Sequence, residues 1–298
     1  RRSRSGPRGA VHAAPGDDGD GAASLGPRFD AALRAYRRAI DPDARVHGSC
    51  ACGLANEASD IDVLGASPLP RVLEAVRAGC APFALVERVA AARVPRVVLR
   101  HRATGVVVDV IEAHRDPQAE AKDDFVRAWL AWHPGVAAFA LELRAWARRH
   151  QAELPREEGY PNAFLALLCG FWFLGFHARV CGVDAQTGLP QQGAAPAAAG
   201  PPEGAPGLFE GWLRFLAGEP ARTAAAPCVL SLRAGGRQAA PLGKTWALVE
   251  PVSGRVACSL CAEQVAWLGE LARASLLERA MFGASPAEDK GLCYACHG

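Results

Sequence analysis

The apolar positions of the chain follow two regimes, and the change falls at Pro134. Upstream, Phe29, Leu33, Tyr36 and Ile40 recur at helical spacing, which predicts an amphipathic helix over residues 27–40. The next apolar runs are short and β-branched. Residues 95–114, PRVVLRHRATGVVVDVIEAH, read as two strands around a Gly-containing turn, a hairpin. Beyond Pro134 the helical period returns, with Val136, Phe139, Ala140, Leu143 and Trp146 on one face. Residues 162–180 predict a more buried helix, LFEGWLRFLAG another, and residues 261–282 a last one. CVLSLR and TWALVEP read as short strands or extended segments. No internal repeat is visible. The pattern predicts an α+β chain with a small sheet-containing lobe over 45–118. A mostly helical lobe is expected from 26–44 and 119–283. Residues 1–25 carry no apolar period and are expected to be disordered. Residues 184–207, rich in Pro, Gly, Ala and Gln, are expected to form a mobile loop, and 284–298 a Cys-containing tail.

Composition changes this picture little. The chain has 298 residues, half of them hydrophobic, enough for a real core. A net charge of +2 excludes a strongly basic coat but leaves room for a local basic groove. No apolar run is long enough to span a bilayer, so no membrane partner is expected; AFLALLCGFWFLGF reads as a core helix. Ten cysteines without a secretory signal suggest reduced thiols in an intracellular protein, with cytoplasm, nucleus and organelle all open. The opening RRSRSGPRGA suits a targeting segment or a basic tail equally, and a chain that starts at Arg1 leaves a fragment possible.

The candidate chemistry is acidic. Asp60 and Asp62 stand at i and i+2, so on a strand they share a side, with Ile61 and Val63 on the apolar one. Two carboxylates that close repel, and a divalent cation removes the conflict. Oxygen ligands suit magnesium, which recruits phosphates to its remaining positions. Asp109, inside VVVDVI and sharing a face with Val107 and Ile111, is the candidate third ligand, because an acid in such a run is costly unless paired or metal-bound. Upstream, Gly48 permits a tight turn, and Ser49 offers a hydroxyl and a backbone N–H to a phosphate. A lone D-x-D is usually a solvated turn; three acids in apolar contexts behind a Gly-Ser turn favour a metal site.

This set of residues resembles the nucleotidyltransferase signature of the polymerase-β superfamily: Gly48-Ser49, ten residues, Asp60-Ile61-Asp62, then a later Asp109. VPRVVLRHRATGVVVDVI is similar to the segment holding the third aspartate. HPGVAAFALELRAWARRH, GYPNAFLALLCGFWFLG and TWALVEPVSGRVA resemble, in order, later segments of the RNA-terminal nucleotidyltransferases, the non-templated poly(A) and poly(U) polymerases. The likeness covers residues 27–282. It implies a bi-lobed fold, a nucleotidyltransferase lobe with a small mixed sheet plus a mostly helical central domain. It also implies template-independent transfer of AMP or UMP from ATP or UTP to RNA 3′ ends, releasing pyrophosphate, with two Mg2+ or Mn2+ ions. Carried over by position, Gly48 and Ser49 would hold the triphosphate and Asp60 and Asp62 both metals. Asp109 would hold the metal at the RNA 3′ end and help activate its hydroxyl. Arg144 and Arg148, on one helix face, would take the place of lysines that grip the triphosphate, and Asn162 would lie near the ribose.

The chain departs from that pattern in places. Ala163 stands where the family has a serine, Glu250 replaces an aspartate and Val252 an aromatic residue. These leave the choice of base open. They also motivate an inactive relative acting as an RNA or partner scaffold. A third reading keeps the chemistry with another acceptor, as in oligoadenylate synthetase-like or small-molecule nucleotidyltransferases. No separate RNA-binding module is visible, so the acceptor is expected in the interlobe cleft or delivered by a protein partner. Plainer readings exist for single residues: Asn162 as a helix cap, the two arginines as a solvated face, and Phe171, Trp172 and Phe173 as core. CSLC (258–261) and CYAC (293–296) could form a four-thiolate zinc site, against chance spacing among ten cysteines. CYACH matches a haem-attachment pattern but lacks any haem context. Cys50 and Cys52 would be redox-sensitive if exposed.

Overall fold

The computed structural model describes residues 25–92, 94–191, 207–234, 236–240 and 245–282. The first lobe runs α1 (Pro27–Ala39), β1 (Arg45–His47), α2 (Gly48–Ala51), β2 (Ile61–Gly65), α3 (Leu69–Arg77), β3 (Phe83–Val89), β4 (Arg96–His101) and β5 (Val107–Glu112). Its five-stranded sheet has the order β1-β2-β5-β4-β3. β2 and β5 are parallel and the other pairs antiparallel. The expected hairpin is β4–β5.

Alternation divides this sheet into two faces. Ile61, Val63, Val97, Leu99, Val108 and Val110 are buried beneath α1 and α3, each burial worth about 1.5–3 kcal/mol. The opposite face carries Asp62, Val98 and Asp109. Register then decides what meets what: Ile61 lies beside Val108, Asp62 beside Asp109 and Val63 beside Val110. α1 differs from expectation. Phe29, Tyr36 and Ile40 join the core of this sheet, with Tyr36 edge-on to Phe83, so residues 26–44 pack with the first lobe rather than with the helices. An amphipathic face specifies burial, not the partner that provides it.

The second lobe contains α4 (Ala119–Trp132), α5 (Pro134–Arg149), α6 (Ala163–Trp172), α7 (Leu208–Ala225) and α8 (Ala262–Phe282). It also holds a four-stranded sheet, β6 (Cys228–Ser231), β7 (Gly236–Ala239), β8 (Trp246–Val249) and β9 (Val256–Leu260), in the order β7-β6-β8-β9. Thus the expected strands at CVLSLR and TWALVEP exist, flanked by two more. Phe139, Leu143, Trp146, Phe171, Trp172, Phe173 and Trp212 form its core, and Trp129 stacks on Phe171 at 4.9 Å. α5 and α6 approach closely at Gly170, where a Cβ would lie 2.6 Å from Leu143. The expected helix over 162–180 is α6 continued by a π turn, Phe173–His177.

Of the stretch expected to be mobile, residues 184–191 instead make a closed turn. Asp184 accepts from the N–H groups of Gln186 and Thr187, and Trp129 Nε1 donates to the Gly188 carbonyl. Residues 192–206, and the tails 1–24 and 283–298, lie outside the described residues.

Candidate active site

The turn after β1 gives the site its shape. Gly48 has φ +68°, and a Cβ there would lie 2.5 Å from Asp62 Oδ2. Only glycine allows this backbone to pass so close to the carboxylate. The Gly48 N–H does not point to open space. It donates to both oxygens of Asp123 on α4, at 3.0 and 3.1 Å. Ser49 follows, largely buried, in the short helix α2.

Asp62 and Asp109 face each other across the parallel pair, and Asp60 stands exposed just before β2. One oxygen from each of the three comes within 4.8 Å of the others. Burial pushes Asp62 up to about 8, with Asp60 and Asp109 adding like charge and Arg144 opposing it. Burial raises Asp109 to about 6 against the pull of Arg96. Asp109 Oδ1 is buried without a hydrogen-bond partner. Three hard oxygen donors, one of them orphaned and one held protonated by burial and by its acidic neighbours, fit a divalent cation.

All eight sequence-expected residues line one cleft of about 1220 Å³: Gly48, Ser49, Asp60, Asp62, Asp109, Arg144, Arg148 and Asn162. The structure nevertheless gives several of them other tasks. Arg144 is half-buried beside Asp62, and burial and Arg148 both weaken its hold on its proton. Arg148 reaches across the lobes, donating to Asn56 Oδ1 at 2.6 Å and to Ser59 Oγ at 3.5 Å, just before β2. Asn162 caps α6, its Oδ1 accepting from Leu165 N–H at 2.9 Å. Glu250 closes its own turn by accepting from Val252 and Ser253 N–H.

In outline the architecture matches solved structures. mtPAP in complex with UTP superposes with a TM-score of 0.64 over 84% of this chain and 63% of that one, at 16% identity. The Cid1 poly(U) polymerase bound to MgGTP gives 0.61 over 87% of this chain and 88% of that one, at 17% identity. The fold is that of the polymerase-β-type nucleotidyltransferases. The chain thus spans 63% of the mtPAP chain. No family model matches it, and no curated protein matches its sequence.

Within this nucleotidyltransferase fold, sequence reasoning missed three cleft residues. Asp123 gave no signal in AEAKDDF, because only the fold brings α4 against the Gly48 turn. His47, adjoining that turn, is pushed down to about 4 by burial and is therefore neutral. Arg96 had a readable signal: it alternates with Val98 onto the face that carries Asp109.

Cys50 is buried and Cys52 partly so. Burial pushes Cys50 and Cys52 up to about 12, so both thiols stay protonated and are poor redox sensors. Cys258 is buried and donates to the Gly159 carbonyl, whereas Cys261 is exposed. Cys293 and Cys296 lie outside the described residues. Among the described residues, the acidic triad is the cluster with metal-ligand spacing.

The Gly48 geometry gives a direct test. Gly48→Ala combines a left-handed backbone with a collision at Asp62. It should weaken Mg2+ binding by displacing Asp62, and lower any turnover about 100-fold, since a small misplacement of a reacting group costs that much in rate. Calorimetric Mg2+ binding checks it; unchanged affinity would mean the turn can shift without moving Asp62.

Proposed function

We propose that this chain transfers nucleotides, AMP or UMP, from a nucleoside triphosphate to RNA 3′ ends without a template, releasing pyrophosphate. The observation that carries this reading is the parallel register that sets Asp62 beside Asp109, with Asp60 completing a triad at the floor of the cleft. Asp60, Asp62 and Asp109 would hold Mg2+ or Mn2+. When bound, such ions supply activation of the 3′-hydroxyl and stabilisation of the leaving pyrophosphate. The remaining chemistry belongs to the chain. Arg144 supplies a half-buried positive charge beside Asp62 for the triphosphate. Ser49 supplies a hydroxyl. The Gly48 N–H is already engaged by Asp123, so Gly48 acts as a conformational element rather than a phosphate donor. Arg148 and Asn162 fix the loop before Asp60 and the start of α6, and so shape the cleft.

The ligands of the similar structures support nucleotide use: mtPAP complexes contain UTP, GTP or ATPγS, and Cid1 complexes contain MgGTP or MgATP. The cleft volume accommodates a triphosphate with an acceptor end beside it. No helix among the described residues is long and apolar enough to cross a membrane.

The test is primer extension. A labelled single-stranded RNA is incubated with Mg2+ or Mn2+ and each NTP separately. Extension by one nucleotide type, dependent on the cation and removed by EDTA, is the expected result and names the base. Failure with all four NTPs, alongside retained NTP binding, would favour a different acceptor or a scaffold role.

A further inference from the structure

The catalytic sheet carries a second cation that the reading above leaves without a task. Asp62, Asp109, Val98 and Glu87 form a row across β2, β5, β4 and β3. Arg96 stands one pleat away on the same face and reaches toward the two acids that flank Val98, Asp109 and Glu87. Its Nε lies 3.6 Å from Asp109 Oδ2, and its Nη2 lies 4.0 Å from Glu87 Oε2. Both contacts are longer than hydrogen bonds, so neither consumes a donor. The Nε is buried and has no hydrogen-bond partner, and the neighbouring Asp109 Oδ1 is orphaned too. The side chain as a whole is 37% exposed and lines the cleft, so its outer nitrogens are open to a ligand there.

The cations therefore flank the triad at opposite ends. Arg144 acts on Asp62, on the side of the Gly48 turn. Arg96 acts on Asp109, on the other side. A nucleotidyl transfer brings two separate phosphate-bearing groups to one centre: the donor triphosphate and the acceptor, whose own terminal linkage lies one nucleotide from the attacking hydroxyl. With the triphosphate assigned to the Gly48 end, the Arg96 end is left for the acceptor.

We propose that Arg96 binds the terminal phosphodiester of the acceptor strand, so that the site takes a polynucleotide end rather than a free nucleoside or a small alcohol. This rests on the transfer reading above. A planar fork of donors suits an anionic diester, and such contacts position a strand without reading its bases. Arg96 would thereby set the 3′-hydroxyl against Asp109.

The experiment uses two labelled RNAs that differ only in the last linkage, phosphodiester or uncharged methylphosphonate. Binding is measured by fluorescence anisotropy in Mg2+ without NTP, for wild type, Arg96→Ala and Arg96→Lys, with calorimetric NTP affinity measured in parallel. Wild type is expected to bind the phosphodiester RNA about tenfold more tightly, the scale of one charge-assisted hydrogen bond. Arg96→Ala should erase that difference and Arg96→Lys should keep part of it, while any change in NTP affinity, which would act through Asp109 and its cation, should be the smaller effect. A linkage preference that persists in Arg96→Ala, or is missing from wild type, overturns the proposal; Arg96 would then only offset the charge of Asp109. Because binding needs no turnover, the two readings fail separately. RNA bound with the expected preference but never extended removes the transfer reading and keeps the Arg96 contact. Extension with a preference indifferent to Arg96 does the reverse. Wild type that binds neither RNA overturns both.

Discussion

Asp62→Asn is expected to abolish nucleotide transfer and, without a divalent cation, to raise the melting temperature of the protein. The two effects have one origin. Asp62 is the centre of the triad, beside Asp109 and two residues from Asp60, and Asn cannot supply the charge that a shared cation needs. Loss of several kcal/mol of metal-derived stabilisation corresponds to about a thousandfold or more in rate. The same charge is a liability in the metal-free fold. Asp62 is raised from 3.8 to about 8 by burial and by its acidic neighbours. In the pH window between those values the folded protein retains a proton that the unfolded chain has released. Stability of the metal-free protein must therefore fall as pH rises through that window, and Asp109 and Asp123, both raised to about 6, add to the fall in its lower part. Asn has the same shape and no charge to titrate. Melting curves in EDTA at pH 5 and pH 8 should show a steep loss for wild type, restored by Mg2+. Asp62→Asn should show a shallower loss and little response to Mg2+. A variant that melts below wild type at pH 8 in EDTA would mean the triad is not under repulsive strain.

The acids were legible in the sequence because each breaks an apolar run at a strand period: Asp60 and Asp62 around Ile61, and Asp109 within VVVDVI. What joins them was not. Parallel pairing of β2 and β5 spans α3, β3 and β4, and no local pattern encodes that distance. β3 went unread because most of FALVERV is exposed and its register slips between Leu85 and Glu87, so the alternation is lost. β7 has only Gly236 buried, which leaves no apolar signal in GRQA. β9 buries Cys258 and Leu260 but exposes Val256, which inverts the usual cue. α4 did carry a helical set, Phe125, Val126 and Trp129, that the sequence reading passed over. Arg148 and Asn162 line the cleft with the acids, but the partners they bond, Asn56 and Leu165, are known only from the folded chain.

The largest loss of stability should come from a residue far from the acids in sequence role, Glu219. Replacing it with Ala is expected to cost about 2–4 kcal/mol, somewhat less than the ~3–5 kcal/mol for breaking a fully buried ion pair, because its arginine partners keep some access to water. Glu219 is 1% exposed. Its Oε1 accepts from Arg222 and Arg237, each at 2.6 Å, and its Oε2 from Trp246 Nε1 at 3.0 Å. One carboxylate thus ties α7 to β7 and β8. It also precedes Pro220, which cannot donate to the helix and packs against Gly269 of α8. Side chains satisfy carbonyls near this break: Arg222 donates to the Phe215 carbonyl and Arg273 to that of Ala217. Removing the carboxylate leaves the Trp246 N–H and two guanidinium groups without their acceptor, and frees Arg222 from the geometry that serves the helix. A fall of roughly 5–10 °C in melting temperature follows for a chain of this size. Glu219→Gln keeps an acceptor for Trp246 and should lose about half as much. Equal losses from Ala and Gln would show that charge, not the Trp246 hydrogen bond, dominates the cluster. The distinction bears on the cleft, because Trp246 lines it. Only the Ala variant releases the indole, so only it should also weaken NTP binding measured well below its melting temperature.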